Sequence, residues 1–76
     1  MNVTVFHTTH CAFCKTEMQW LDSKGVEYTH VNIEENDDAR KEVELLTGST
    51  SVPVTLIDGE VIRGFDRPKL TVALGL

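Results

Sequence analysis

Two cysteines three positions apart, Cys11 and Cys14, stand between a run of strand-forming residues and a segment with helical periodicity. The strand is predicted over residues 3–6, and the apolar stripe of the helix contains Cys14, Met18 and Leu21. Unpaired N–H groups and a partial positive charge at a helix N-terminus lower the pKa of a thiol held there. The position therefore predicts that Cys11 is an exposed thiolate nucleophile and that Cys14, one turn inside the helix, can reach back to it.

Other uses of the cysteine pair remain open at this point. A structural disulfide would close a loop of only four residues, which contributes roughly 2 kcal/mol in the loop-entropy model. A metal site could add His7 and His10, but the chain has no second Cys-x-x-Cys to complete a tetrahedral set. Two reduced core cysteines without chemistry are a third reading. The strand–helix–strand context favours a redox pair and no metal site. His30 is expected to be an exposed strand residue, since nothing near it in the sequence offers a partner.

The hydrophobic pattern predicts an α/β chain with the element order βαβαββα. The predicted strands cover residues 3–6, 26–33, 54–57 and 60–63. The predicted helices cover residues 12–24, a segment from Asn36 or Asp37 to Gly48, and a last segment capped by Asp66. The second helix is expected to bury Ala39, Val43 and Leu46, and the third to bury Leu70 and Leu74. Asp58-Gly59 is a two-residue hairpin signal, so the last two strands should be antiparallel.

Length and charge limit the possible partners. At 76 residues the chain is expected to be a single domain spanning residues 1–76. Its net charge of -5 argues against nucleic acid or an anionic membrane as a partner, because neither would be attracted to the field of the protein. There is no basic, apolar leader and no stretch of about 18 apolar residues. With both cysteines in one reactive motif, these features predict a cytoplasmic protein, expected to be a monomer.

Three motifs together resemble the glutaredoxin family. A Cys-x-x-Cys follows the first strand, Val52-Pro53 precedes the third strand and Gly64 precedes the last helix, and the match spans the whole chain. The resemblance implies the minimal thioredoxin fold, a mixed four-stranded sheet flanked by three helices. It also implies thiol–disulfide exchange with Cys11 as the nucleophile, Cys14 as the resolving cysteine and a cis peptide at Val52-Pro53 beside them.

The resemblance further implies a substrate site around the cysteines. The residues expected to contact substrate are Thr8, Phe13, Lys15, Val52, Pro53, Gly64, Phe65 and Asp66. No tightly bound cofactor is expected, and glutathione or another thiol reductant would act as a co-substrate. The implied partners are disulfide-containing proteins, together with glutathione or thioredoxin reductase. Independently of the family, Pro53 at a strand start leaves backbone groups of its neighbour free to pair with a substrate peptide, and Lys15 could favour the thiolate electrostatically.

The chain departs from the family pattern at the positions that bind glutathione. Thr8 stands where a basic residue is usual three positions before the first cysteine, and Thr50 stands where an Arg is frequent three positions before the proline. The acid of the usual Gly-Gly-x-x-Asp stretch comes one place early, as Asp66. The cations that could substitute are Arg40, Lys41 and Arg67.

Two subgroups and one different class remain as alternatives. The stretch of residues 64–68, with Gly-Phe followed by Arg-Pro, is similar to the glutaredoxin-like hydrogen donors of ribonucleotide reductase, which thioredoxin reductase reduces. The stretch of residues 8–14 is similar to the mycoredoxins, which use another low-molecular-weight thiol. The different class is a binding module that holds zinc or an iron–sulfur cluster between two chains through Cys11 and external ligands.

Overall fold

The computed structural model describes all 76 residues and contains four strands and three helices in the predicted order. The strands are β1 (Val3–His7), β2 (Thr29–Asn32), β3 (Val54–Ile57) and β4 (Glu60–Arg63). The helices are α1 (Ala12–Ser23), α2 (Asp37–Thr47) and α3 (Arg67–Leu74). None of the three helices has the length and apolar character needed to cross a membrane.

The strands form one mixed sheet in the order β2-β1-β3-β4. β1 pairs with β2 in parallel and with β3 antiparallel, and β3 pairs antiparallel with β4. The register places Phe6 of β1 between Val31 of β2 and Val54 of β3. The turn between β3 and β4 has φ angles of 47° at Asp58 and 89° at Gly59, as a tight hairpin turn requires. The predicted four-stranded mixed sheet is therefore confirmed.

Both faces of the sheet are covered, because alternate residues of β1 enter two separate apolar clusters. Val3 and Val5 belong to a cluster with residues of α1, α3 and the hairpin strands, namely Leu21, Ile57, Ile62, Leu70 and Leu74. Phe6 belongs to a second cluster, whose other buried members are Ile33, Ala39, Val43 and Val54. A strand buried on both faces reads as a nearly continuous apolar run, which is what residues 3–6 show.

The second strand is shorter than the alternation predicts. It covers Thr29–Asn32, whereas the pattern predicted residues 26–33. The Val26 N–H donates to the carbonyl of Leu21 at 3.1 Å, so this residue belongs to the exit turn of α1. Val26 and Tyr28 then pack against the cluster that contains Val5. Their apolar character therefore reflects packing under the end of a helix and not membership of the sheet.

The prediction that Leu46 lies on the core face of α2 is wrong. Ala39 and Val43 are buried, but Leu46 is 39% exposed and Leu45 is 88% exposed. Leu46 has the correct angular position for the buried face of a helix that carries Ala39. The last turn of α2 is nevertheless open to solvent. The apolar periodicity of the sequence therefore extends one turn beyond the part of α2 that packs against the core.

The helix starts follow the predicted capping chemistry. The Asn36 Oδ1 accepts the N–H of Ala39 at 3.0 Å, which decides between the two candidate caps of α2. The Asp66 Oδ1 accepts the N–H of Lys69 at 3.1 Å at the start of α3. Gly48 ends α2 with φ of 80°, a conformation that glycine adopts without a steric penalty.

Replacing the α2 cap should destabilise the whole fold. Asn36→Ala removes the acceptor for the Ala39 N–H, and loss of such a cap costs about 1 kcal/mol. Urea unfolding followed by circular dichroism measures this loss. The control is Glu42→Ala, a change at an exposed mid-helix site, expected to alter stability by less than about 0.5 kcal/mol. Equal losses in the two variants would contradict the capping role.

Candidate active site

The two cysteines form a disulfide at the N-terminus of α1. Cys11 is the cap residue, with φ of -98° and ψ of 105°, and its Sγ accepts the N–H of Cys14 at 3.1 Å. The same N–H would face a Cys11 thiolate after reduction, and the helix dipole adds to that stabilisation. Cys11 is partly exposed, whereas Cys14 is only 1% exposed. An attacking partner can therefore reach Cys11 but not Cys14.

The segment before β3 lies directly against the disulfide. The carbonyl oxygen of Val52 is 3.9 Å from the Cys11 Sγ, and the Val52-Pro53 peptide bond is cis. The Pro53 carbonyl accepts the N–H of Gly64 at 2.8 Å, which joins this segment to the end of β4. The Val52 N–H donates to no group of the chain. Val52 therefore presents a free backbone donor beside the sulfur that a partner would reach first.

A depression of about 260 Å³ borders this segment. Its walls include three of the predicted substrate-contacting residues, Val52, Pro53 and Gly64. Thr47 at the end of α2, and Ser49 and Ser51 in the chain that follows, add hydroxyl groups. The larger depression, of about 700 Å³, lies at the C-terminal end of α2, and its lining includes neither Val52 nor Pro53. The smaller one is the relevant surface, because Val52 connects it to Cys11.

The other predicted contact residues differ in their surroundings. Phe13 is 69% exposed in the first turn of α1, Lys15 is exposed in the same turn, and Thr8 is partly buried in the loop before Cys11. Phe65 packs edge-on against Trp20 with 6.0 Å between ring centroids, and Asp66 caps α3. Phe65 and Asp66 therefore have structural partners of their own, and their contact with substrate stays a prediction.

Two of the three cations that could replace the missing glutathione contacts are engaged elsewhere. The Arg67 guanidinium lies 5.7 Å from the centroid of the Trp20 ring. Arg40 pairs with Glu44 at 3.2 Å and with Asp37 at 3.8 Å. Lys41 makes neither an ion pair nor a side-chain hydrogen bond, and it lines the larger depression at the end of α2. Of these three, Lys41 is thus the one that remains free to meet an anionic ligand.

The loop that carries Cys11 is fixed by residues that follow β2. The Thr9 N–H donates to the Glu34 Oε1 at 2.8 Å, and the Asn32 amide donates to the Thr9 Oγ1 at 3.0 Å. The hydrogen bond from the Thr9 backbone lowers the pKa of Glu34 below its usual range. No local pattern predicts these contacts, because Thr9 and Glu34 are 25 residues apart in the sequence.

His30 has a partner that lies 23 residues away in the sequence. Its Nδ1 lies 3.1 Å from the Nε2 of His7, because the parallel pairing of β1 and β2 brings the two rings together. Partial burial, and then the neighbouring His30, lower the pKa of His7. The expectation that His30 is exposed is confirmed.

A buried acid lies on the same face of α1 as Cys14, and sequence reasoning missed it. Glu17 is 0% exposed and stands between Cys14 and Leu21 on the buried face of α1. The Thr55 hydroxyl of β3 donates to the Glu17 Oε2, while the Oε1 has no hydrogen-bond partner. Burial raises the pKa of Glu17, and the hydrogen bond from Thr55 offsets part of this rise. The available signal was an acidic residue at a position of the apolar stripe, three residues after Cys14.

The sheet with helices on both faces and the disulfide at the start of α1 define a redox protein with the thioredoxin fold. The family model described as Glutaredoxin matches residues 3–62. A relative from Clostridium pasteurianum, an uncharacterized glutaredoxin-like 8.6 kDa protein in a rubredoxin operon, is 31% identical over 68 residues, which cover 90% of this chain and 91% of the relative. Glutaredoxin 3 of Escherichia coli (strain K12) is 34% identical over 65 residues, covering 86% of this chain and 78% of that protein.

A solved structure agrees with these sequence matches. The crystal structure of a glutaredoxin from Archaeoglobus fulgidus superimposes with a TM-score of 0.86 and 26% identity, covering 96% of this chain and 85% of that one. The chain belongs to the glutaredoxin family. Membership supports thiol–disulfide oxidoreductase activity in general, and glutathione is the common reductant of the family.

The buried carboxyl group should make stability depend on pH. Because the folded-state pKa of Glu17 is raised, its favourable contribution is complete below the unfolded-state pKa and is lost as the pH rises through the folded-state pKa. Glu17→Gln removes the ionisation, so its urea midpoint should exceed that of the parent at about pH 8, and the difference should shrink toward about pH 5. Each unit of pKa elevation corresponds to about 1.4 kcal/mol. Glu42→Gln, at an exposed position, is the control and should show no such trend. A difference that does not change with pH would contradict the assignment.

Proposed function

We propose that this protein is a dithiol oxidoreductase that reduces disulfides of proteins and mixed disulfides of low-molecular-weight thiols in the cytoplasm. The observation that carries the proposal is the unequal exposure of two bonded sulfurs at a helix N-terminus. Cys11 is partly exposed and Cys14 is 1% exposed, so one sulfur is suited to attack and the other to intramolecular resolution. A purely structural disulfide would not require this asymmetry.

The reaction proceeds by two successive exchanges. The Cys11 thiolate attacks one sulfur of the substrate disulfide, and the other substrate sulfur leaves as a thiolate. Cys14 then attacks the Cys11 Sγ, the bond from Cys11 to the substrate breaks, and the second substrate thiol is released. The two electrons that reduce the substrate come from the two cysteines, which end as the disulfide. An external thiol reductant reopens that disulfide for the next cycle.

Substrate docking uses the free backbone beside the disulfide. A peptide segment next to the substrate cysteine can accept a hydrogen bond from the Val52 N–H and lie along this segment as an added strand. The exposed ring of Phe13, two residues after Cys11, offers an apolar contact. Gly64, which lines the same depression, has no side chain to restrict the approach of the peptide.

Glutathione is proposed to bind weakly, and thioredoxin reductase is the alternative electron donor. Thr8 and Thr50 provide no charge for the glutathione carboxylates, and Arg40 and Arg67 are held by partners within the chain. Of the three cations considered as substitutes, Lys41 is the one without a partner in the chain, and it lies on α2 away from the cysteines. A reductase that reaches Cys11 directly would not need these contacts. The observation therefore supports a hydrogen donor resembling those of ribonucleotide reductase as the second candidate.

The central proposal is tested with single cysteine variants and a protein disulfide such as insulin. Cys11→Ser should abolish reduction, whereas Cys14→Ser should accumulate mixed disulfides through Cys11 or retain only the monothiol reaction. In the reduced parent, alkylation at mildly acidic pH should modify Cys11 faster than Cys14 by about tenfold or more, because the thiolate fraction changes tenfold per pKa unit. Peptide mass spectrometry of the alkylated protein measures this ratio. Equal labelling of both thiols, or activity in Cys11→Ser, would refute the proposal.

The electron donor is tested by comparing glutathione plus glutathione reductase with NADPH plus thioredoxin reductase. Thr8→Lys should lower the KM for glutathione by about tenfold or more, since hydrogen bonds to charged groups contribute about 1.5–3 kcal/mol. Ser23→Lys adds the same charge at the far end of α1, about 18 Å along the helix, and should leave this KM unchanged. If the parent already shows the low KM of a dithiol glutaredoxin assayed beside it, other residues supply the contacts and the proposal of weak binding fails.

A further inference from the structure

Glu17 is a buried acid that neither disulfide formation nor substrate docking requires. Its side chain is 0% exposed, and only one of its two oxygens has a hydrogen-bond partner. Charged residues are rarely fully buried without a pairing partner, because removing the charge from water is costly. The fold nevertheless places this carboxyl group in the core, on the face of α1 that also carries Cys14.

The position of Glu17 relative to Cys14 is fixed by the helix. Residues three apart on a helix are neighbours on one face, with about 5–6 Å between their Cβ atoms. Both Cys14 and Glu17 are buried, so they share a region that bulk water does not reach. The unpartnered Oε1 is a hydrogen-bond acceptor in this region.

Resolution of a mixed disulfide creates a need for a base at this place. Cys14 must become a thiolate before it attacks Cys11, and burial in apolar surroundings raises the pKa of a thiol. Cys11 has the helix terminus and the Cys14 N–H to stabilise its charge. Cys14 is covered by protein, and the buried acid on its own helix face is the group placed to take its proton.

We propose that Glu17 is the internal proton acceptor and donor for Cys14. In resolution, the Cys14 S–H gives its proton to the Glu17 carboxylate as the Cys14 Sγ bonds to the Cys11 Sγ, and the substrate leaves Cys11 as a thiolate. In reduction, a reductant thiolate attacks the Cys11 Sγ, Cys14 leaves as a thiolate and then takes the proton back from Glu17. Glu17 returns to its starting state after one cycle. This inference rests on the proposed exchange reaction.

Two features of its surroundings determine the pKa of Glu17. From β3 it receives the Thr55 hydrogen bond, and on its own helix Cys14 precedes it by three residues and Trp20 follows it by three. The indole N–H of Trp20 is the other buried polar group without a partner. The Arg67 cation of α3 lies over the Trp20 ring. The altered pKa of Glu17 is caused by burial, which raises it, and by the Thr55 hydroxyl, which lowers it. A raised pKa makes the carboxylate a better base for a thiol than a solvated glutamate would be.

The proposal is tested by stopped-flow reaction of the reduced protein with 5,5′-dithiobis(2-nitrobenzoate). The first equivalent of coloured thiolate reports the attack by Cys11, and the second reports resolution by Cys14. Glu17→Gln should slow the second release by about a hundredfold at neutral pH, as general-base catalysis typically contributes. The first release should change by less than about twofold, because Cys11 keeps its helix cap.

The pH dependence of the second release separates a proton-transfer role from a structural one. In the parent, this rate should rise with pH through an ionisation shared by Glu17 and Cys14 and then level off. Glu17→Gln should lose that step and follow the ionisation of a lone buried thiol. Thr55→Val removes the bond that lowers the Glu17 pKa, so its profile should shift to higher pH with the same plateau. Glu17→Asp should restore part of the rate, and the control Glu42→Gln should match the parent.

The outcomes distinguish the two proposals. If the parent releases only one equivalent, intramolecular resolution does not occur and the proposed function fails. If the parent releases two and Glu17→Gln gives the same second rate and profile, only the role of Glu17 is overturned. Should Glu17→Gln not fold, infrared titration of the buried carboxyl band in the oxidised and reduced parent decides the question. A titration that differs between the two redox states supports the proposal, and an identical one overturns it.

Discussion

The antiparallel pairing of β1 with β3 brings the parts of the active site together. In the register of this pair Phe6 stands opposite Val54, so the end of β1 lies beside the start of β3. The loop that follows β1 carries Cys11, and the segment that precedes β3 carries Val52 and Pro53. A shift of one residue would move the cysteines along this segment and would also turn Phe6 from one apolar cluster to the other. The packing of the core and the geometry of the site are therefore set by the same register.

A contact between β3 and α1 accommodates a glutamate in the core. Thr55 is fully buried on β3, and its hydroxyl is the polar group that meets Glu17 from the sheet. Val54 and Ile57 of the same strand are packed into apolar clusters, so the hydroxyl of Thr55 is a local exception in this strand. An acid paired on only one oxygen is destabilising compared with an apolar residue of similar size. Such a residue is better explained by chemistry than by packing, since packing alone would favour its replacement.

Much of the fold could be predicted from the sequence, because its determinants are local. The caps at Asn36 and Asp66, the hairpin at Asp58-Gly59 and the order of the elements depend on residues close together in the chain. The errors have a different origin. The limits of β2 and the exposure of Leu46 depend on where the core ends, which periodicity does not report. The pairing of His30 with His7 and of Glu17 with Thr55 depends on elements far apart in sequence.

The loop before Cys11 shows how little of this site is contained in the motif itself. Thr9 is fixed by Asn32 and Glu34, and Cys11 faces Val52, which is 41 residues further along the chain. A peptide that ends after α1 would contain both cysteines and the whole helix but none of these supports. Its disulfide would have no ordered backbone edge beside it. Transferring the four-residue motif into another helical scaffold would meet the same difficulty, because the selectivity of the thiol belongs to the surrounding chain.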